Sequence, residues 1–197
     1  MIITVASFKG GVAKTTSSVH LAALLSRKAA TALIDGDPNR SATGWGKRGK
    51  LPFPIVDERA AAKRSRDFEY LVIDTEARPD ADDIKALSES CDLWILPSSP
   101  DALALEAMMQ TIETLQGLNA NHFKVLLTIV PPKPSRDGEE ARSMLLENEL
   151  PVFKQSIPRL VAFQKAALAG VTVNEVADPR AEQGWKAYQA IAKELLL

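Results

Sequence analysis

The run Lys9-Gly10-Gly11-Val12-Ala13-Lys14-Thr15-Thr16 has the composition of a loop that encloses phosphate. Its glycines let the backbone turn tightly, so that successive N–H groups point inward, and a helix opening at its end adds a positive pole. In such a loop Lys14 reaches the β- and γ-phosphates of a nucleotide, the Thr15 hydroxyl coordinates Mg2+, and Thr16 contacts the α-phosphate. Two further apolar runs end in carboxylates. Leu71-Val72-Ile73-Asp74-Thr75 places Asp74 where it would hold a water of the Mg2+ shell. Leu33-Ile34-Asp35-Gly36-Asp37-Pro38 reads either as a strand-end Asp-Gly turn or as an acceptor that stays ionised near a γ-phosphate.

The common phosphate-loop pattern G-x-x-x-x-G-K-[ST] fails here, because Phe8 and Ala13 stand at its two glycine positions. The variant with an early lysine, K-G-G-x-x-K-[ST], fits. With that motif the chain resembles the ParA/MinD family of P-loop ATPases. The resemblance implies ATP and Mg2+ as cofactors, slow Mg2+-dependent hydrolysis, and a homodimer in which Lys9 crosses the interface to the partner's nucleotide. It also implies that Asp37 orients the attacking water and that Asp35 supports the metal or the loop. Three positions depart from the family's pattern. Ala13 replaces the usual glycine, retaining the N–H but limiting backbone freedom, and Glu76 and Arg78 stand where small residues and prolines are usual. Ile157-Pro158-Arg159 and the stretch 166–173 resemble a second family segment, which with the loop 129–134 would border the adenine through Pro131 and Pro132.

The elements that must position these residues alternate. Nearly continuous apolar runs lie at 2–6, 31–35, 70–74, 93–97 and 123–130, with helical stretches at 15–29, 79–89, 101–118 and 138–149. Continuous rather than alternating runs indicate strands covered on both faces. Repeated strand–helix–strand units predict an α/β fold: three layers, doubly wound, with a mainly parallel sheet and ligands beyond the carboxyl ends of its strands. Residues 39–54 read as a loop with a broken helix around Trp45, and 131–134 as a rigid proline loop. A last helix over 181–197 places Trp185, Tyr188, Ile191, Ala192 and Leu195 on one face, which is expected to pack on the sheet.

A length of 197 residues suits one domain spanning 1–197. The single cysteine, Cys91, excludes an internal disulfide framework and a cysteine-built iron–sulfur site within one chain, and fits a reducing cytoplasm. The opening segment lacks the basic region of a secretory signal, and no apolar stretch has the roughly 20 residues of a membrane helix. The end of the chain, Lys193 to Leu197, lacks a basic polar face, which argues against a MinD-like membrane anchor.

Among the jobs of the resembled family, partition of DNA or positioning of a protein compartment such as a carboxysome remains. This implies non-specific DNA binding by the ATP dimer at the nucleoid and a ParB-like or other activating partner. Composition supplies no basic excess: from Lys133 onward nine Lys/Arg face nine Asp/Glu. Arg142, Lys154, Arg159, Lys165 and Lys186 are the candidates to converge on a dimer face. With no segment before the phosphate-loop strand to read bases, binding is expected to be independent of sequence. Rival readings are a small-molecule kinase or ligase of the dethiobiotin-synthetase type and a module that binds ATP without hydrolysing it.

Overall fold

The computed structural model describes residues 1–57, 65–77 and 81–196. Six strands form one parallel sheet: β1 Ile2–Ser7, β2 Thr31–Asp35, β3 Ile55–Asp57, β4 Tyr70–Ala77, β5 Leu93–Ser98 and β6 Phe123–Leu127. Their spatial order is β3-β2-β4-β1-β5-β6. The helices are α1 Lys14–Leu25, α2 Ser41–Arg48, α3 Ala81–Ser88, α4 Ala102–Gly117, α5 Asp137–Glu147, α6 Val161–Ala169 and α7 Ala181–Leu195. Short 3-10 turns cover Ser65–Asp67 and Val173–Glu175.

The strands are buried on both faces because alternate side chains feed cores on opposite sides of the sheet, Ala32, Ile34, Val56, Leu71 and Ile73 forming a smaller one of their own. Leu33, Val72 and Ile95 join the core under α1, α2, α6 and α7. Trp94 and Leu96 join the one under α3, α4 and α5. This is the expected three-layer α/β architecture. Strand register then does functional work: β2 and β4 align Asp35 with Asp74, and β1 sets Val5 beside Asp74. The chain winds outward from β1 to β2 and β3 before crossing to β5 and β6. The loop after β1 therefore sits where the winding reverses, the place where such sheets take ligands.

Four expectations need correction. β6 ends at Leu127 rather than at 130, because Ile129 takes φ +52°, which no strand accommodates. Edge strand β3 was not expected, and neither was α6, a short helix that starts at Leu160 without a side-chain cap. The stretch 39–54 contains a full helix, α2, in which Trp45 is buried despite Gly44 and Gly46. The face of α7 packs chiefly on the Val173–Glu175 turn and α1, then on α6, and joins the sheet through their shared core: the Tyr188 hydroxyl meets Ser17 Oγ at 3.0 Å, and Phe163 crowds Gly184. Pro79 and Leu197, at the ends of two expected helices, and Arg78 lie outside the described residues.

Two glycines fix α2 against α6. A Cβ on Gly49 would stand 2.4 Å from the Ala169 carbonyl oxygen, and one on Gly170 (φ +71°) 2.2 Å from the Gly49 nitrogen. Only backbones bare of side chains pass this closely. Arg48 Nε donates to the Ala167 carbonyl at 2.8 Å, and Trp45 Nε1 to that of Val171 at 3.0 Å.

Candidate functional site

The phosphate loop leaves β1 at Ser7, whose hydroxyl accepts the Lys9 N–H at 3.1 Å. Gly11 turns the chain at φ +79°, and Ala13 does so again at φ +63° before α1 begins. A Cβ built on Gly10 or Gly11 would meet nothing within 4 Å, so space lies open over the turn. Thr128 Oγ1 donates to the Val12 carbonyl at 2.9 Å and ties the loop to the end of β6. The left-handed conformation costs an alanine about 1 kcal/mol or more that glycine does not bear. Ala13→Gly is therefore expected to raise stability by about 0.5–1 kcal/mol, the gain being trimmed by glycine's freer unfolded state. Urea unfolding reads this, and a destabilised variant would show that the Ala13 backbone is relaxed.

Lys14 is buried beneath the loop, with Nζ 3.3 Å from the Lys9 carbonyl oxygen. Burial pulls its pKa down, while Asp74 and then Asp37 push it back up. Lys9 lies at the rim, 32% exposed, with Nζ 2.8 Å from Asp101 Oδ1. Asp101 also caps α4 by accepting the Ala104 N–H at 3.0 Å and accepts the Ser99 hydroxyl. The bond from Lys9, followed by that from Ser99, holds its carboxyl down at about 2. Asp101 was not singled out from sequence, where it is only the first residue of the expected helical stretch 101–118.

Asp74 is fully buried within β4, which runs on past the expected end at 74 to Ala77. Ser18 Oγ donates to its Oδ1 at 3.0 Å, whereas Oδ2 has no hydrogen-bond partner among the described residues. A buried carboxylate oxygen left in this way, beside Thr15 and Lys14, is a fitting acceptor for the water shell of Mg2+. Burial drives the Asp74 carboxyl up to about 7, with the Thr15 and Ser18 hydroxyls pulling the other way.

The sign of the pH effect follows. Between about pH 4 and 7 the folded chain keeps a proton that the unfolded chain has released, so stability falls as pH rises through that window. Asp74→Asn is expected to remove a decline on the order of a few kcal/mol. Urea unfolding at pH 5 and pH 8 measures it, and an unaltered profile would contradict the assignment. Because Mg2+ selects the ionised form, its stabilising effect with nucleotide should be larger at pH 8 than at pH 6.

Asp35, expected to support the metal or the loop, is tied into the turn that follows β2. Oδ2 accepts from the Thr43 N–H at 2.7 Å and the Thr43 hydroxyl at 2.5 Å, and Oδ1 from the Asp37 N–H at 3.3 Å. Asp37 is half-buried, and its Oδ1 accepts the Asn39 N–H at 2.9 Å. Arg40, at φ +52°, donates to the Asp35 carbonyl at 2.7 Å and reaches Asp57 at 2.9 Å, locking the turn from outside. Glu76 lines a hollow of about 190 Å³ with Gly36, Pro38 and Asp83.

Beside the loop lies an apolar hollow of about 340 Å³, walled by Ala13, Thr16, Ile129, Leu160 and Phe163 among others. Ile129 and Ile157-Pro158-Arg159 thus come together next to the loop. Pro131 and Pro132 do not: the turn at Ile129 carries them to an adjoining depression of about 670 Å³. Arg159, Arg180 and Lys186 line that depression too, together with Glu182, which pairs with Lys186 at 3.5 Å.

The remaining basic candidates do not gather. Arg142 is spent inside the fold on the Phe153 carbonyl and Ser156 hydroxyl, both at 2.8 Å. Lys165 is paired with Asp178 at 2.9 Å, and Lys154 is exposed outside the depression's lining. No helix of the described residues is long and apolar enough to cross a membrane.

This geometry agrees with what the chain is similar to. The profile of the CobQ/CobB/MinD/ParA nucleotide binding domain matches residues 3–173. The maintenance of carboxysome distribution protein A of Gloeobacter kilaueensis is 30% identical over 201 residues, covering 98% of this chain and 93% of that one. Protein ParA of Rhizobium radiobacter is 27% identical over 179 residues, covering 82% of this chain and 80% of its own. A solved complex of ATP with Cyanothece McdA, carrying an aspartate-to-alanine substitution, shares the fold with a TM-score of 0.75 at 18% identity, over 96% of this chain and 95% of that chain. With the phosphate loop, the aspartates of β2 and β4 and the six-stranded parallel sheet in place, the chain belongs to the CobQ/CobB/MinD/ParA nucleotide-binding family.

Proposed function

We propose that this chain is a MgATP-dependent dimerising switch of the ParA type, which positions a cargo and resets by hydrolysis. The observation that carries the reading is the ring around the open turn: Lys14 below it, the unsatisfied Asp74 oxygen at the metal side, Asp37 within electrostatic reach, and Lys9 at the rim. A likeness along nearly the whole chain to a protein named for carboxysome distribution supports cargo positioning as the job.

In this mechanism the loop amides from Gly10 to Thr16 bind phosphate oxygens, and Lys14 neutralises their charge. Thr15 and Asp74 would hold Mg2+, which supplies Lewis-acid stabilisation of the phosphates when bound. Asp37 orients the attacking water. Lys9 leaves Asp101 and stabilises charge on the partner's nucleotide. An exposed ion pair such as Lys9–Asp101 contributes only about 0–1 kcal/mol, so it yields readily to a triphosphate. Arg159, Arg180 and Lys186, brought beside their copies by dimerisation, form a non-specific DNA surface at the nucleoid, and an activating protein stimulates turnover.

ATPase activity with no metabolite added, together with DNA retention in ATP and in ADP at low salt, tests this. The switch predicts turnover without a metabolite and DNA binding in ATP alone, with affinity falling steeply as salt rises. Phosphate transfer that requires a metabolite would instead indicate the kinase class.

A further inference from the structure

His20 is not needed by the mechanism above, yet it occupies the best-connected position in the α1 layer. It lies fully buried on α1, one turn beyond Thr16. Its ring stacks on Tyr188 at 4.8 Å and 14°, and it meets Phe163 and Trp45 edge-on at 5.4 and 5.9 Å. Trp185 closes the cage at 6.4 Å. An apolar ring would fill this cage without the cost of desolvating an imidazole. Here both nitrogens are used. The Val173 N–H donates to Nε2 at 3.0 Å, so Nε2 is bare and Nδ1 carries the proton, which it gives to the Thr16 carbonyl at 2.7 Å. Burial lowers the ring's pKa to about 4, consistent with this single neutral tautomer.

The two ends of the ring join different parts of the site. Thr16 belongs to the phosphate loop. Val173 opens the 3-10 turn before α7 and lies two residues from Val171, the acceptor of the Trp45 indole on α2. α2 follows the Asp35–Asp37 turn, and Phe163 on α6 lines the hollow beside the loop. Lys186 on α7 lines the depression that holds Arg159 and Arg180. A polar bond satisfied at both ends inside an aromatic cage is directional, so a shift of the Thr16 carbonyl must be met by the ring or break a bond.

We propose that His20 is a positioning residue that relays occupancy of the phosphate loop to the layer formed by α2, α6 and α7. The relay rests on the nucleotide reading of the loop and adds a route by which bound nucleotide is sensed elsewhere. Two near-isosteres separate its ends. Asparagine places its amide where Nδ1 lies and keeps the bond to Thr16, while glutamine reaches the Nε2 position and keeps the bond to Val173.

The readout is the tryptophan emission of a Trp94→Phe chain, which leaves Trp45 and Trp185, the two indoles around His20. MgATP should change that emission. His20→Asn should bind MgATP within about threefold of the parent and lose most of the emission change. His20→Gln should bind about tenfold more weakly, the effect of losing one hydrogen bond. In the unsubstituted chain, ring 15N shifts should show Nδ1 protonated and Nε2 bare, moving on addition of MgATP. Urea melts establish that both variants fold. Parent-like affinity in His20→Gln, a parent-like emission response in His20→Asn, or ring shifts indifferent to nucleotide would overturn the relay while leaving the ATPase reading intact. A parent chain that binds no nucleotide would overturn both.

Discussion

Replacing Lys14 by alanine is expected to weaken MgATP binding at least about 100-fold, close to 3 kcal/mol, in equilibrium calorimetry. The side chain is 8% exposed beneath the loop, where a buried ammonium interacts strongly with phosphate. Without it the triphosphate faces Asp74 and Asp37 without the ammonium that offsets their charge. The fold itself should not suffer, because an unliganded buried ammonium is a cost that alanine removes. A variant melting at or above the parent temperature but failing to bind nucleotide is thus the predicted pair of results. Undiminished affinity would take Lys14 out of the site.

Asp37→Ala is expected to lower hydrolysis by about 100-fold or more while ATP affinity is kept, so that the ATP-bound dimer accumulates. Single-turnover kinetics and light scattering in ATP would follow the two consequences. Asp35→Ala provides the contrast. Asp35 receives both bonds from Thr43 and the Asp37 N–H, so its loss should cost stability as well as turnover. Equal effects of the two substitutions on melting would mean that Asp37, too, is chiefly a structural staple. Normal turnover in Asp37→Ala would remove that residue from catalysis.

The parts of the structure legible in the sequence were those marked by local chemistry. The loop from Lys9 to Thr16 and Asp35 at the end of β2 lie where strand-then-turn reasoning put them, whereas Asp74 lies inside β4, which runs on to Ala77. Less legible were features fixed by tertiary contacts. α6 has no capping side chain, and its place is set by the meeting of Gly49 with Gly170. The turn that separates Pro131 and Pro132 from the loop depends on a positive φ at Ile129, a β-branched residue that ordinarily avoids it. Arg142 looked like a surface cation until its two internal acceptors were seen. Ser18, the donor to Asp74, had a faint signal, lying one helical turn after Lys14 on the same face of α1.

The borders of the sheet bear on how copies of this chain can meet. The outer side of β6 is already occupied: Val125 bridges to Val152, and Val130 to Pro158. The opposite border is β3, three residues long, preceded by Pro52 and Pro54 and ended by Asp57 in its ion pair with Arg40. Short length, proline and charge are the means by which proteins discourage strand addition. Continuous cross-chain sheets are therefore disfavoured at both of these borders, which suits the proposed dimer, whose contacts form around the nucleotide. A dimer of the proposed kind would come apart when its nucleotide is hydrolysed, which a fibre zipped along strand edges would not do.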